Sequence, residues 1–316
     1  MITPPLRTAV IGIGYLGRFH ATKYAALPNS QLIGLCDTHT TIAEPLAQQL
    51  NVQYWPHYEA ILGQVDAVSI VTPTESHEAI ARFCLENGIH VLIEKPITAS
   101  VASAETLIQL AEKQKCCLQV GHIERFNPAF QTLLTQLGSE TPVRIHTERF
   151  TPFVHRACNV SVILDLLIHD IDLIHTLIAS PIQHIQAQGM QVWSSTYDTV
   201  SVHITFENHA EAFLSASRVH HTPYRQLHVF THSTDYMADL HQKRCYARHH
   251  SPTLTTEGSP FEEVPVTAED ALMTEIDAFL NSIITHTPPR VTGRAGSQAL
   301  AICTQIEHLL AEGKYT

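Results

Sequence analysis

Long apolar runs, an excess of positive charge and regularly spaced cysteines are all missing from this 316-residue sequence. No stretch approaches the roughly 18 consecutive apolar residues that a membrane helix requires. The first ten residues hold one arginine and no apolar core of a signal peptide, so we expect neither a membrane span nor secretion. Thirteen glycines and seventeen prolines are too few for a fibrous or linker-rich chain. These absences favour a folded cytoplasmic protein.

Positive charge is scarce along the whole chain. Nineteen Lys and Arg residues stand against thirty Asp and Glu residues, which gives a formal net charge of −11 with neutral histidine. Proteins that bind nucleic acids display clustered basic side chains that neutralise phosphates. The sequence has no basic stripe of this kind, so we exclude nucleic acid as a partner.

Neither cysteine nor histidine is spaced as in a metal site. The seven cysteines form an odd set without a CxxC pair, whereas disulfide frameworks and zinc sites require regular spacing. We therefore predict reduced, mostly buried thiols. Seven of the 22 histidines fall between residues 220 and 250, yet no HxH or HExxH spacing occurs. We predict histidines that are solvated or lie at a subunit interface, and no bound metal.

The chain does contain enough apolar surface for two cores. Apolar residues make up 44% and charged residues 16%, a globular composition, and the length exceeds that of most single domains. From Arg7 to His122, short β-branched runs alternate with helical stretches. This alternation predicts the fold class α/β, with a doubly wound parallel sheet in a first domain of residues 1–122. Its strands are expected at residues 8–13, 31–36, 66–71, 89–93 and 117–120.

The pattern changes after His122. A strand is expected around residues 143–149. From residue 182 to residue 240, strand-like runs follow one another without helices between them, which predicts a large, mainly antiparallel open sheet. Helices are expected at residues 128–137, 160–178, 268–284 and 297–310, and a loop at residues 249–265. Residues 123–316 are therefore predicted to form a second α/β domain.

A glycine-rich turn follows the first predicted strand and opens the first predicted helix. Gly12 permits the tight turn, Gly14 lets the backbone approach a pyrophosphate, and Gly17 lets helix and strand pack closely. Asp37 stands 20 residues after Gly17, where a carboxylate binds the adenosine ribose and repels a 2′-phosphate. We therefore predict a bound dinucleotide, NAD in preference to NADP, on the helix N-terminus. The predicted contacts of the turn are Gly12, Gly14, Tyr15, Leu16 and Gly17.

Several motifs, the glycine-rich turn included, follow one another along nearly the whole chain. They are Gly12-x-Gly14-x-x-Gly17-x-x-His20, Thr72-Pro73-Thr74 with His77, Glu94-Lys95-Pro96, Gly121-His122-Ile-Glu-Arg125-Phe-Asn127-Pro128, Asp165-x-x-x-His169, Ser217-Arg218 and Pro288-x-x-x-x-Gly293. In this order and spacing they resemble the Gfo/Idh/MocA family of oxidoreductases. The stretch 121–128 is most similar to the branch whose members oxidise the 3-hydroxyl of UDP-N-acetylglucosamine.

The resemblance implies a fold, an assembly and a set of cofactor contacts. It implies an N-terminal Rossmann domain for NAD and a C-terminal domain that binds substrate and packs one sheet face on another subunit, in a homodimer or homotetramer. It also implies a cis peptide bond between Lys95 and Pro96. The residues that it places along the cofactor are Thr72, Pro73, Thr74, His77, Glu94 and Lys95.

Three residues form the predicted catalytic set. Asp165 and His169 are four residues apart in an apolar helical stretch, so both side chains leave one face. Hydride removal from an alcohol needs a base for the hydroxyl proton, and we assign His169 because histidine titrates near neutrality. Asp165 is expected to bind the hydroxyl or orient His169, and Lys95 to donate a hydrogen bond to the developing carbonyl oxygen. Lys95 and His169 should then flank one cavity beside the nicotinamide.

Polar residues of the second domain are candidates for substrate contacts. An activated sugar carries a diphosphate, which arginine recognises through two parallel hydrogen bonds. A lone arginine is nevertheless more often part of a surface ion pair. The candidates are Arg125, Asn127, Arg149, Arg156 and Arg218.

The leading hypothesis is an NAD-dependent dehydrogenase that acts on a secondary alcohol of a sugar, the 3-hydroxyl of a UDP-N-acetylhexosamine. A free sugar, an inositol or a dihydrodiol is the alternative substrate. An alternative of another class is a regulator that senses the cofactor without catalysis. Such a regulator does not need Lys95, Asp165 and His169 together, so their joint presence favours the enzyme.

Overall fold

The computed structural model describes residues 4–154, 159–250 and 260–313, and the chain divides into two compact units. The first unit comprises Met1–Ile123 and Ala271–Gln298, and the second comprises Glu124–Asp270 and Ala299–Thr316. Within the described ranges, no helix combines the length and the apolar character that crossing a membrane requires.

The first unit is built on a parallel sheet. Its described strands are β1 (Leu6–Ile11), β2 (Ser30–Cys36), β3 (Gln53–Trp55), β4 (Ala67–Ile70), β5 (His90–Glu94) and β6 (Leu118–Gly121). The helices between them are α1 (Tyr15–Ala26), α2 (Thr40–Leu50), α3 (Thr74–Glu86) and α4 (Val101–Gln114). The strand order is β3-β2-β1-β4-β5-β6. Because the order reverses beside β1, ligands are expected beyond the carboxyl ends of β1 and its neighbours β2 and β4.

The helix α7 (Ala271–Thr285) also belongs to the first unit, although it follows the second sheet in the chain. Its buried residues Leu272, Phe279 and Leu280 share one apolar cluster with Val10 and Leu35 of the parallel sheet. The apolar face of α7 therefore covers strands that lie more than 200 residues earlier. The predicted domains, residues 1–122 and 123–316, differ from the compact units at residue 123 and, because of α7, at residues 271–298.

The second unit is built on a large sheet. Its described strands are β7 (Arg144–Phe150), β8 (Ile182–Met190), β9 (Thr199–Phe206), β10 (Glu211–Ser217), β11 (Tyr224–Phe230), β12 (Thr234–Asp239), β13 (Arg244–His249) and β14 (Glu262–Val264). Their order is β14-β13-β12-β11-β7-β10-β9-β8. The pair β7–β10 is parallel, and the other neighbouring pairs are antiparallel. The predicted open, mainly antiparallel sheet is confirmed.

Helices cover one face of this sheet. They are α5 (Pro128–Leu137), α6 (Ile168–Leu177) and the later part of α8 (Gly293–Ala311). In β9, Val200, Val202, Ile204 and Phe206 are buried, and the residues between them are not. This period of two places one face in the core and leaves the other outside it.

Most predicted elements are confirmed within a few residues of their expected ends. The strands β3 and β13 were not predicted, and β14 lies inside the stretch expected to be a loop. The helix expected from residue 160 is wrong at its start, because Ile163–Leu167 form a π-helical turn before α6 begins. Such turns widen the helix locally and are frequent at functional sites.

Candidate active site

The glycine-rich turn between β1 and α1 requires glycine at two positions. Gly12 has a φ of +93°, in the left-handed region, and a Cβ there would lie 2.6 Å from the carbonyl oxygen of Val71. A Cβ on Gly17 would collide with the carbonyl oxygen of Gly12. Beside Gly14, in contrast, a Cβ would meet nothing within 4 Å. The turn therefore brings α1 close to β1 and leaves room at the helix N-terminus, where an anion is favoured.

Asp37 follows β2, and its side chain is 14% exposed. Its Oδ2 accepts a hydrogen bond from the backbone N–H of Ile13 at 2.6 Å, and its Oδ1 accepts one from the N–H of His39 at 2.7 Å. A carboxylate can accept about four hydrogen bonds. The two backbone donors therefore fix Asp37 beside the glycine turn and leave acceptor capacity for ribose hydroxyls.

A cavity of about 630 Å³ lies against the glycine turn and the end of β2. It includes five of the predicted cofactor residues, which are Gly12, Gly14, Asp37, Thr72 and Pro73. Ile42, Pro56 and Tyr58 add apolar and aromatic surface of the kind that accepts a planar ring. The glycine cradle, the fixed carboxylate and this volume together fit a dinucleotide.

His77 connects the loops that follow β4 and β5. It is 1% exposed, and its Nδ1 and Nε2 lie 2.9 Å from the carbonyl oxygens of Pro96 and Thr72, respectively. The peptide bond between Lys95 and Pro96 is cis, as the resemblance implied. From this buried position, His77 braces Thr72 and the loop after β5. Thr74, also a predicted cofactor residue, begins α3 directly after Pro73.

Glu94 ends β5 with its carboxylate held from several sides. Its Oε1 lies 3.2 Å from Nε2 of the buried His20, and its Oε2 accepts the backbone N–H of Lys95 at 3.3 Å. A Cβ on Gly121 would lie 2.8 Å from Oε1, so glycine on the neighbouring strand makes room for the carboxylate. Lys95 follows this fixed strand end and is half-buried.

The other two predicted catalytic residues lie at the start of the helical segment in the second unit. Asp165 is in the π-helical turn and His169 is in the first turn of α6, and both are half-buried. The prediction of one regular α-helix through both residues is wrong, because the wider turn changes their angular offset. Lys95 belongs to the first unit, and a cavity shared by Lys95 and His169 stays a prediction.

Arg149 has buried protein partners in place of the predicted substrate. Its side chain is 2% exposed. Its Nε and Nη2 donate to Asp170 at 2.9–3.1 Å, and its Nη1 donates to Glu124 at 2.8 Å. Burial alone would raise the pKa of Glu124, but Arg149 and Arg225 hold that pKa below its usual range. The structure therefore holds Arg149 in a buried ion cluster, and its contact with a substrate stays a prediction.

Arg125 and Asn127 are also engaged within the second unit. Arg125 donates through Nε and Nη2 to the buried Asp172 at 2.7 and 2.6 Å. Asn127 caps α5 by accepting the N–H of Ala129 at 3.0 Å, and its amide group donates to Glu124 and to the carbonyl oxygen of Leu240. Both residues therefore have structural contacts. Arg156 lies outside the described residues.

Arg218 and Asp198 form the centre of a buried polar cluster that we call the Asp198 knot. Asp198 accepts the N–H groups of Val192, Trp193 and Ser194 at 2.7–2.9 Å and the Nε of Arg218 at 2.7 Å. Burial opposes ionisation of Asp198, but these donors and the Ser194 hydroxyl lower its pKa far below the usual range. Arg218 therefore fixes the loop between β8 and β9, and its contact with a substrate stays a prediction.

The same knot also reaches the segment that leads into the π-helical turn. The Nη1 of Arg218 donates to the carbonyl oxygen of Val160 at 2.6 Å, and the N–H of Val162 donates to the carbonyl oxygen of Tyr197 at 2.9 Å. Asp165 follows Val162 by three residues. The knot therefore fixes the backbone from which the Asp165–His169 segment starts.

Sequence reasoning missed the polar groups behind Glu94. His20 belongs to the glycine-rich motif, but the sequence predicts no role for it, nor for Tyr24 and Ser69. A signal was present: His20 and Tyr24 are four residues apart on one helix, and Ser69 interrupts an apolar strand. For metals, residues 4–154, 159–250 and 260–313 contain no group of three His, Cys, Asp or Glu side chains that could hold an ion.

Two family models match the chain. The model described as an oxidoreductase family with an NAD-binding Rossmann fold matches residues 6–122, and the GFO/IDH/MocA C-terminal domain matches residues 137–235. A UDP-N-acetylglucosamine 3-dehydrogenase of Acidithiobacillus ferrooxidans is 38% identical over 95% of this chain and 96% of its own length. The chain belongs to the Gfo/Idh/MocA family. It is therefore an oxidoreductase with NAD as its cofactor, which confirms the predicted family, fold class and cofactor.

Two solved structures and a further relative can be compared with the chain. The Acidithiobacillus ferrooxidans enzyme superposes with a TM-score of 0.90 at 37% identity, with 98% of each chain covered. A scyllo-inositol 2-dehydrogenase (NAD(+)) of Bacillus subtilis is 26% identical over 91% of this chain and 89% of its own length. The scyllo-inositol dehydrogenase of Lactobacillus casei, solved with NAD(H) and scyllo-inositol, has a TM-score of 0.80 at 20% identity and shares the fold.

Proposed function

We propose that this Gfo/Idh/MocA oxidoreductase oxidises the 3-hydroxyl of a UDP-N-acetylhexosamine to a ketone. The observation that carries the proposal is the 38% identity to the UDP-N-acetylglucosamine 3-dehydrogenase over 95% of the chain. The presence of Lys95, Asp165 and His169 supports an active enzyme over a sensor, because binding of a cofactor alone does not require a base.

Residues at the carboxyl ends of the parallel strands would hold the cofactor. Gly12, Gly14 and the N-terminus of α1 would receive the pyrophosphate, and Asp37 would receive the adenosine ribose. When bound, NAD supplies a hydride acceptor. Glu94 ends β5 and Lys95 follows it, on the other side of β1 from Asp37, so they would face the nicotinamide half.

His169 is the proposed general base. It takes the proton of the substrate hydroxyl while the carbon loses its hydride, so the alcohol gives up one hydride and one proton. A positioned base contributes about 10²–10⁴-fold to such a step. Asp165 binds the same hydroxyl or orients the ring of His169.

Lys95 is the proposed stabiliser of charge. Its ammonium donates a hydrogen bond to the substrate oxygen, which gains negative charge as the proton leaves. The braced backbone around Lys95, with Glu94 before it and the His77 contact to Pro96 after it, limits the positions of the lysine. A fixed donor costs little reorganisation during the reaction.

We do not propose that the buried arginines of the second unit bind the diphosphate of the substrate. Because Arg149, Arg218 and Arg125 form ion pairs with protein carboxylates, we retain Arg156 as the predicted contact for the diphosphate. Inositol is the second candidate substrate class, and it is favoured by the Bacillus subtilis relative that matches 91% of this chain.

A substrate panel tests the proposal. Purified protein with NAD is incubated with UDP-N-acetylglucosamine, UDP-N-acetylgalactosamine, free N-acetylglucosamine, scyllo-inositol and myo-inositol, and reduction is followed by nicotinamide absorbance. We expect turnover with a UDP-N-acetylhexosamine and a 3-keto product identified by mass spectrometry. Turnover with an inositol alone would replace the substrate. NAD binding without turnover on any member would favour the sensing regulator.

We also propose that the enzyme is a cytoplasmic homo-oligomer. Half-buried aromatic and histidine side chains support an interface on the sheet face opposite α5 and α6. There Phe213 stacks on His203 at 4.3 Å between ring centroids and meets His146 at 5.1 Å. An exposed face of this kind is typical of an interaction surface. The cysteines Cys36, Cys84 and Cys245 are free and buried, which suits a reducing compartment.

A further inference from the structure

A buried chain of polar groups leads from the interior of the first unit to Glu94. The hydroxyl oxygen of Tyr24 lies 2.8 Å from Oγ of Ser69, and that Oγ lies 3.1 Å from Nδ1 of His20. The Nε2 of His20 lies 3.2 Å from Oε1 of Glu94. Tyr24, Ser69 and His20 are each 0% exposed, whereas the Glu94 side chain is 13% exposed. The series of hydrogen bonds therefore ends at a partly exposed carboxylate at the carboxyl end of β5.

The direction of these hydrogen bonds follows from the donors available. An ionised carboxylate only accepts, so Nε2 of His20 carries a proton and donates to Glu94. In neutral histidine, Nδ1 then accepts from Ser69, whose single proton is used there, and Tyr24 donates to Ser69. Burial raises the pKa of Tyr24, so the phenol keeps this proton. Because Tyr24 is buried, this series of hydrogen bonds does not carry protons to solvent. It supports the Glu94 carboxylate from behind.

Two further features restrict the position of the Glu94 carboxylate. The backbone N–H of Lys95 donates to Oε2 at 3.3 Å, and the space beside Oε1 exists because residue 121 is glycine. The carboxylate thus occupies a fixed place directly before Lys95. Loss of the donor at His20 would leave the carboxylate with the long hydrogen bond from Lys95 alone, and its rotation would be less restricted.

We propose that His20 is a positioning residue, which through its Nε2–H fixes the Glu94 carboxylate for the nicotinamide half of NAD. The proposal rests on the proposed function, because it takes Glu94 as a contact of the nicotinamide ribose. The sheet order supports this placement: Asp37 follows β2 on one side of β1, and Glu94 ends β5 beyond β4 on the other side. His20 touches neither half of the cofactor and acts through Glu94.

The test compares binding of NADH with binding of ADP, which lacks the nicotinamide ribose. The variants are His20→Asn, whose shorter amide reaches toward Ser69, and His20→Gln, whose amide reaches toward Glu94. We expect His20→Asn to weaken NADH about tenfold and to leave ADP unchanged, since one hydrogen bond to a charged group is lost. His20→Gln should restore binding to within about twofold. Tyr24→Phe, at the far end of the chain, should weaken NADH by a smaller factor.

Glu94→Gln separates this inference from the proposed function. In the double variant His20→Asn/Glu94→Gln, the loss should equal that of Glu94→Gln alone, because both changes act on one contact. Equal loss of NADH and ADP in His20→Asn, or no rescue by His20→Gln, would mean that His20 only supports the fold. If Glu94→Gln itself leaves NADH binding unchanged, the placement of the nicotinamide half at Glu94 fails.

Discussion

Replacement of Asp198 by asparagine perturbs the Asp198 knot with almost no change in shape. The native carboxylate is 0% exposed and accepts three backbone N–H groups on Oδ2, with the Ser194 hydroxyl and Arg218 on Oδ1. An amide can place its oxygen on only one side. Its NH₂ group then faces either the three N–H groups or the Ser194 hydroxyl together with the Nε–H of Arg218, and neither the N–H groups nor the guanidinium accepts a hydrogen bond. The variant therefore loses a group of charge-assisted hydrogen bonds and leaves a buried cation without its counter-ion.

The magnitude follows from the burial of Arg218, which is 3% exposed. Removal of one partner from a buried ion pair costs about 3–5 kcal/mol. Arg218 keeps contacts to Ser194, Thr196 and the carbonyl oxygen of Val160, so we expect a loss of about 3 kcal/mol in the free energy of unfolding. Because Val160 precedes the Asp165–His169 segment, turnover should fall while NADH binding in the first unit is kept.

The stability that Asp198 contributes should decrease as the pH falls. The folded state holds the pKa of Asp198 far below its usual range, so its contribution is fully present above the unfolded pKa and disappears as pH falls through the folded one. The stability difference between wild type and Asp198→Asn should therefore be constant near pH 7 and begin to shrink below about pH 5. Titration of other carboxylates affects both proteins and cancels in the difference.

Urea unfolding at several pH values measures this difference, and hydrogen exchange of the peptide that spans residues 190–198 reports the knot directly. Asp239→Asn is the matched control. Asp239 accepts the backbone N–H groups of His241 and Gln242 in another turn of the same unit, and its replacement should cost about 1 kcal/mol. If Asp198→Asn is no less stable than this control at pH 7, or if its deficit grows in acid, the account of the knot is wrong.

Three further predictions concern the cofactor, the chemistry and the assembly. Asp37→Ala should weaken NAD binding and improve NADP binding, measured by fluorescence titration; tighter NADP binding by the wild type would contradict the role of Asp37. His169→Asn and Lys95→Ala should keep NAD binding, and loss of the base should lower turnover by about 10²–10⁴-fold; wild-type turnover of His169→Asn would remove the mechanism. Sedimentation should give a dimer or tetramer at micromolar concentration, whereas a stable 35.1 kDa species would exclude the homo-oligomer.

The cofactor site could be predicted from the sequence because the residues that indicate it lie close together in the sequence. Gly12, Gly14, Gly17 and Asp37 act through backbone space and strand ends that a short stretch defines. The buried arginines could not be placed in this way. Arg149 is 25 residues from Glu124 and 21 from Asp170, and a single sequence does not indicate whether such a cation meets a ligand or a distant carboxylate.

The missed and misjudged elements have a similar cause. The strand β3 has three residues, too few to display a period, and β13 is rich in Arg and His because it lies near the edge of the sheet. The π-helical turn before α6 keeps the apolar residues of a regular helix. Helical periodicity in sequence does not separate a π-helical turn from an α-helical one when only five residues are involved.

The position of α7 also determines when the cofactor-binding unit can fold. Synthesis of residues 1–123 completes every strand of the parallel sheet, but Leu272, Ile276 and Phe279, which share its apolar cluster, are made about 150 residues later. Until then the nascent unit has an uncovered apolar surface, a condition that exposes a chain to aggregation. A fragment cut after the sixth strand would keep this surface permanently, so a cofactor-binding fragment must carry residues 271–298 as well.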